Sequence, residues 1–314
     1  MANNKFRMFD VAIIGGGIAA HSAAIYTARD GLSTLVIAAP EIDQLSYTTL
    51  VENFPGFPDG VLGSELVANA RKQAEKFGAE YAMGRVNVLS KKKDVFELKT
   101  DEGAYTSRSI IIATGAAART LNVPGKDKYF GRGIAVCAVC DAPLYRGKDV
   151  VLVGGGDSAM EESLSLAKFA RKVVIVHRRD KFRASKIMQR RVFAQKRISV
   201  MWDSELKEVL GDGKFVTGAK IKNAKTGKEE SLNVSGVFFA IGHTPNTEIF
   251  KKILKLDKNG FIKTDRSLKT SMAGVFAAGD CQDHAYRQAI TSAGSGAQAA
   301  LEAEAYVEEM KARA

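Results

Sequence analysis

Two glycine turns, each set between an apolar strand and a helix, constrain this chain more than any other feature of it. Phe9-Asp-Val-Ala-Ile-Ile14 reads as a short buried strand that ends in Gly15-Gly-Gly17, and Ile18 to Asp30 follows as an Ala-rich amphipathic helix. Thr34-Leu-Val-Ile37 is the next buried strand, which completes a βαβ unit. The pattern returns in mid-chain: Asp149-Val-Val-Leu-Val153, Gly154-Gly-Gly156, a helix over Ser158–Ala170 and the strand Lys172–Val176. In a strand–GxGxx(G/A)–helix turn the first glycine allows the sharp turn and the second lets backbone approach a pyrophosphate. The third small residue permits close helix–strand packing, and the free N–H groups of the helix start face the phosphates. Those positions are Gly15, Gly17 and Ala20 in one copy and Gly154, Gly156 and Ala159 in the other, where Asp157 and Ser158 open the helix. One such turn is also met in plain βα connections. Two of them point to two nucleotide-binding halves, in keeping with a length of 314 residues, which suits about two domains.

The ends of the second strands separate the two ligands. After Val176 comes His177-Arg178-Arg179-Asp180-Lys181-Phe182-Arg183. A carboxylate there binds a ribose 2′-hydroxyl, whereas arginines grip a 2′-phosphate in bidentate fashion, so Arg178, Arg179 and Arg183 favour NADPH over NADH. The first unit ends instead at Ile37-Ala38-Ala39-Pro40, with Glu41 and Asp43 slightly later. The same stretch accounts for the net charge. Residues 168–197 hold twelve Lys and Arg against one acid, so the whole formal excess of +11 lies there and the remainder of the chain is neutral. No basic/aromatic interleaving accompanies it, so the stretch lacks the stacking platforms of a nucleic-acid binder.

Between the two units lie a helix over Gly63–Phe77, a strand pair at Arg85–Ser90 and Val95–Thr100 with Lys91–Lys93 as a solvated turn, and the strand Ser109–Ala113. Further strands are expected near Val200–Trp202, Gly218–Lys222, Gly236–Ile241 and Gly274–Ala278, before a C-terminal helix. No apolar run approaches the ~18 residues of a membrane span, and the N-terminus does not look like a signal peptide. Three cysteines make no disulfide framework, and a reducing cytosol is the expected compartment. Two of them form Cys137-Ala-Val-Cys140, followed by Asp141. With four histidines in the chain and no second cysteine pair, zinc is disfavoured against a dithiol–disulfide couple. Asp141 is a candidate to give a proton to, or take one from, a departing thiolate, or else a helix cap.

These segments together resemble the bacterial-type, low-molecular-weight thioredoxin reductases over nearly the whole chain. The likeness is carried by Gly15-Gly-Gly17 with Ala23–Arg29, Val51-Glu-Asn-Phe-Pro-Gly56, Ala113-Thr114-Gly115 and Cys137–Asp141. It continues through Gly154–Glu161, His177–Ala184, Ala240-Ile241-Gly242-His-Thr-Pro-Asn246, Gly274–Asp280 and Tyr286–Thr291. The resemblance implies an α/β fold of two Rossmann-like dinucleotide-binding domains, with the NADPH domain (residues 117–244) inserted into the FAD domain (residues 1–116 and 245–314). It implies FAD on Gly15, Gly17, Ala20, Glu41, Gln44, Asn53, Ala113–Gly115, Gly279, Asp280 and Arg287-Gln288-Ala289. NADPH falls on Gly154, Gly156–Ala159, His177–Arg179, Arg183, Ile241 and Gly242.

It further implies a cytoplasmic homodimer that reduces thioredoxin or a similar small CxxC protein, with no role for nucleic acid, membrane or metal. By the same resemblance Cys140 is expected on the flavin side, Cys137 to attack the partner disulfide and Asp141 to supply the proton. The resemblance also implies rotation of one domain against the other about Ala116–Arg119 and Gly242–Pro245. The sequence departs from the family pattern at Gly17-Ile-Ala-Ala20, at Ile42-Asp43-Gln44-Leu45, which looks one residue shorter, and at Ala142. Two alternatives stay open: a related flavin disulfide reductase serving another protein, and a member whose altered 42–45 loop weakens FAD binding.

Overall fold

The computed structural model of the chain describes residues 7–40, 43–48 and 50–313. It divides into two units, one made of Met1–Ala117 with Thr244–Ala314 and the other of Ala118–His243. The chain thus leaves the first unit, completes the second and returns. Among the described residues no helix is long and apolar enough to cross a membrane.

In the first unit, Met8–Ile14 lies between two parallel neighbours, Thr34–Ala38 and Ala104–Ile112, with Ile14 opposite both Ile37 and Ile112. Strands covered on both faces read as continuous apolar runs, and Val11, Ala12, Ile13 and Ile110 to Ile112 are all fully buried. Glu80–Met83 extends this sheet in parallel beyond Thr34–Ala38. On the other side Ala104–Ile112 is shared. Its first half pairs antiparallel with Val95–Thr100, and Ile110–Ile112 pair in parallel with Val275–Ala277. The last part of the chain is thereby built into the sheet that the first part began.

The helix Ile18–Arg29 is less one-sided than its sequence suggests. Ala19, Ala20, Ala23, Ala24 and Ala28 share a core with Ala299, Ala300 and Ala303 of the C-terminal helix Ala289–Arg313. Apolar residues all round a helix mark one that is covered on several sides. Small residues let the two backbones meet, since a Cβ at Gly296 would stand 2.2 Å from the Ala19 carbonyl oxygen. The lysine turn is also shorter than expected. Lys91 and Lys92 belong to the strand Val86–Lys92, and of the three lysines Lys93 alone, at φ 53°, lies in the turn, with Asp94. Lys92 stays in the strand with an ion pair to Glu97 at 2.9 Å, and the Lys91 ammonium lies 5.0 Å over the Phe96 ring.

The second unit holds five parallel strands in the order Ile198–Met201, Lys172–Val176, Asp149–Gly154, Gly236–Ala240 and Ile134–Ala135. A three-stranded antiparallel sheet accompanies them, formed by Ser204–Gly211, Val216–Asn223 and Glu229–Asn233. The helix after the glycine turn runs Asp157–Ala167 and stops short of Ala170. There the Arg197 guanidinium donates to the carbonyls of Ala167 and Ala170 at 3.2 and 3.4 Å. A cation at a helix C-terminus satisfies carbonyls that have no partner in the helix. Both units are parallel α/β arrangements of Rossmann type.

Candidate functional site

The two turns are built alike. Gly15 has φ 139°, and a Cβ there would lie 2.1 Å from the Ala113 carbonyl oxygen; at Gly154 it would lie 2.5 Å from that of Ala240. Each turn therefore presses its first glycine on the end of the neighbouring strand. Ala113-Thr114-Gly115 and Ala240-Ile241-Gly242 occupy equivalent places in the two units. Ala20 and Ala159 are fully buried, as close helix–strand packing requires. Neither helix start carries a side-chain cap on its Gly17 or Gly156. Among the described residues, nothing beyond the adjoining backbone lies within 4 Å of where a Gly156 Cβ would be. An uncapped helix start with a bare glycine face fits a dinucleotide phosphate.

The end of the second strand is organised around the turn beside it. His177 is buried, with Nε2 3.0 Å from the Lys181 carbonyl oxygen and its ring where a Gly155 side chain would otherwise stand. Burial lowers its pKa, and Nε2 donates to the Lys181 carbonyl, which can only accept. The Arg183 N–H donates to the Gly155 carbonyl at 2.9 Å. Arg178, Arg179 and Arg183 are exposed. Asp157, at the helix start, accepts from the Ser185 N–H at 2.9 Å and the Ser185 hydroxyl at 2.8 Å, and these bonds hold its carboxyl below the usual range. In the first unit Ala38 takes the place of His177 against Gly16, with no basic residue after it. Glu41 lies outside the described residues. Gln44 is exposed ahead of a short turn in which the Asp43 carboxylate accepts from the Leu45 and Ser46 N–H groups.

The other residues expected in the first unit come together from distant parts of the chain. Asn53 donates to the Gln288 side-chain oxygen at 3.3 Å. Arg287 has φ 50°, and the turn that carries it is shaped by Asp283, which accepts from the Ala285 and Tyr286 N–H groups at 2.9 Å each. Burial pushes the Asp280 carboxyl up to about 6, against the Ser292 hydroxyl that donates to it at 3.1 Å. The Gly279 N–H donates to Ser295 Oγ. Thr114 donates through Oγ1 to the Asn246 carbonyl at 2.7 Å, and the Asn246 amide returns a bond to the Thr114 carbonyl at 2.9 Å. Cys281 is fully buried and burial pushes its thiol up to about 12. It packs as a small apolar residue, as a free cysteine beside a sheet commonly does.

In the second unit Cys137 and Cys140 form a disulfide with 5.4 Å between their Cα atoms. The single helical turn Ala138–Asp141 sets them on one side, and Cys137 caps it by accepting the Cys140 N–H on Sγ at 3.2 Å. Both are partly exposed, while Ala142 and Tyr145 behind them are buried. Burial pushes the Asp141 carboxyl up to about 6. A disulfide within reach of solvent, next to a carboxyl that exchanges its proton near pH 6 rather than near 4, is equipped for thiol–disulfide exchange. Ser185, Ser292 and Asn246 hold site residues in place and carry no sequence signal of that role, because each acts across a fold-dependent contact.

A sequence profile of the pyridine nucleotide-disulphide oxidoreductase family matches residues 9–296. The chain is 47% identical to a thioredoxin reductase of Streptomyces coelicolor, over 95% of this chain and 94% of that protein. It is 48% identical to thioredoxin reductase 2 of Arabidopsis thaliana, over 96% of this chain and 82% of that one. Among solved structures, the thioredoxin reductase from Streptococcus pyogenes matches with a TM-score of 0.93 at 40% identity, covering 96% of this chain and 99% of its own.

Proposed function

This chain belongs to the pyridine nucleotide-disulphide oxidoreductase family, and from that premise we propose that it is an NADPH-dependent thioredoxin-disulfide reductase. The overall reaction turns NADPH, a proton and a protein disulfide into NADP⁺ and a dithiol. The observation that carries the reading is the solvent-reaching Cys137–Cys140 disulfide, beside a carboxyl raised to about 6, in a chain with two uncapped glycine turns. Thioredoxin, or a small CxxC protein like it, is the partner that the names of the relatives support.

FAD suits the first turn, with Gly15, Gly17, Ala20, Asn53, Asp280 and Arg287 to Ala289 to hold it. NADPH suits the second, with Gly154, Gly156, Ala159, Arg178, Arg179 and Arg183. When bound, the two cofactors supply the two-electron chemistry that side chains lack.

The protein's own residues do the exchange. In the disulfide form Cys137 Sγ accepts the Cys140 N–H, a donor that would stabilise a thiolate at that sulfur if it persists once the bond is opened. That sulfur attacks the partner disulfide, forming one S–S bond and releasing one partner thiolate. Cys140 then attacks Cys137 Sγ, re-forms the internal disulfide and releases the second. Asp141 supplies a proton to a departing sulfur, its burial having raised its affinity for one. A reducing compartment such as the cytosol suits this chemistry.

The test is steady-state reduction of a thioredoxin disulfide by the purified holoenzyme. Activity with NADPH is the expected result, and no NADPH-dependent thiol release with any thioredoxin overturns the reading. In the same assay, replacing Arg178 and Arg179 by alanine is expected to raise KM for NADPH by roughly a hundredfold, since each charge-assisted bond to phosphate is worth a factor of about ten or more. KM for NADH should stay within about twofold, because the lost partners face a phosphate that NADH does not have.

A further inference from the structure

The phosphate-facing helix of the second unit begins with an acid, Asp157, directly after Gly156. A carboxylate at that point works against an anionic ligand, because it competes for the same N–H groups and repels the same charge. The matching helix of the first unit has no acid in its first turn. In the structure the Asp157 carboxylate is directed to Ser185, accepting its N–H at 2.9 Å and its hydroxyl at 2.8 Å. Ser185 closes the segment that begins at His177 and carries all three arginines, and it is the N-terminal boundary of the helix Lys186–Phe193. Other bonds also fix this segment: His177 to the Lys181 carbonyl at 3.0 Å, the Arg183 N–H to the Gly155 carbonyl at 2.9 Å, the Asp203 N–H to the Arg179 carbonyl at 3.1 Å, and the strand bonds of the His177 backbone to Met201 and Ser204. It is therefore drawn closed at Lys181 and fastened to the glycine turn at Gly155 and at Asp157.

We infer that Asp157 is a positioning residue for dinucleotide selectivity: through Ser185 it holds Arg178, Arg179 and Arg183 ready for a 2′-phosphate. The inference rests on the reading of the second unit as the NADPH site. Its physical basis is pre-organisation. An arginine on a loose segment must be ordered when the phosphate arrives, and that ordering weakens binding, whereas a fastened segment is ordered beforehand. The adenosine half of the ligand, which needs the glycine turn alone, is indifferent to the fastening.

Calorimetric titration of the holoenzyme with adenosine 2′,5′-bisphosphate and with 5′-AMP separates these contributions. Asp157→Ala is expected to weaken the bisphosphate about tenfold and 5′-AMP less than about twofold, the former being the scale of one or two lost hydrogen bonds to a charged group. KM for NADPH should rise in parallel while kcat moves less than about twofold. Asp157→Asn, whose Oδ1 still accepts both Ser185 donors, should restore binding to within about threefold, and Ser185→Ala, which keeps its N–H, should fall between. Unchanged bisphosphate binding in Asp157→Ala, or an equal loss for both ligands, overturns the inference. A wild-type protein that binds the bisphosphate no better than 5′-AMP overturns instead the NADPH reading on which it stands.

Discussion

Replacing Cys140 by serine is expected to lower NADPH-driven thioredoxin reduction by at least ~10³-fold, because a lone thiol cannot complete a two-electron exchange. The one other cysteine offers no rescue. Cys281 is buried in the first unit, with its thiol pushed up to about 12, so neither access nor ionisation lets it resolve a mixed disulfide. Cys140→Ser leaves Cys137 at the head of its helical turn, still able to attack a disulfide but with nothing to release it. The variant should therefore accumulate a covalent complex with oxidised partner, visible as a reducible band on a non-reducing gel. Cys137→Ser should be equally inactive and form no such band. Turnover within tenfold of wild type in either variant would show that electrons leave by another route. Trapping by Cys137→Ser rather than by Cys140→Ser would exchange the roles of the two sulfurs.

Legibility in the sequence followed the range of each interaction. The two βαβ units could be read directly, since an apolar run, a glycine turn and a helix lie within about thirty residues and report on one another. Cys137, Cys140 and the arginines after Val176 could be read for the same reason. Elements whose identity depends on distant pairing were not legible. Glu80–Met83 carries an alternation too short to see, and becomes a strand only because Thr34–Ala38 offers it an edge. The sharing of Ala104–Ile112 between a hairpin strand and Val275–Ala277 has no local trace. Side-chain roles divide in the same way. Asn53 and Gln288 are recognisable one at a time, but their hydrogen bond spans most of the chain. Asp157 reads as a ligand-facing residue from its place after Gly156, and only the folded position of Ser185 shows where its carboxylate is engaged. The proton affinity of Asp141 is likewise a property of burial in the folded chain, which its sequence neighbours do not reveal.

Asp141→Asn is expected to move activity and stability in opposite directions. Burial raises this carboxyl from 3.8 to about 6, so the folded protein favours its neutral form. For an acid whose pKa is higher folded than unfolded, the associated stability is complete below the unfolded value. It is lost as pH rises from about 4 through about 6. Above that window the folded protein carries a charge in a poorly solvated place, at a cost of up to ~3 kcal/mol for a shift of this size. Asparagine removes the charge and keeps the shape. The variant should therefore unfold several degrees higher than wild type at pH 8, with little or no gain at pH 4.5. Activity should fall by ~10²-fold, the usual loss when a positioned proton donor is removed. The wild-type rate profile should show a limb near pH 6 from the protonated carboxyl, and the variant should lose that limb. Thermal unfolding at the two pH values and rates from pH 5 to 9 provide the check. A gain in stability that is equal at both pH values, together with a limb that survives in the variant, would assign the titration to another group and leave Asp141 a packing residue.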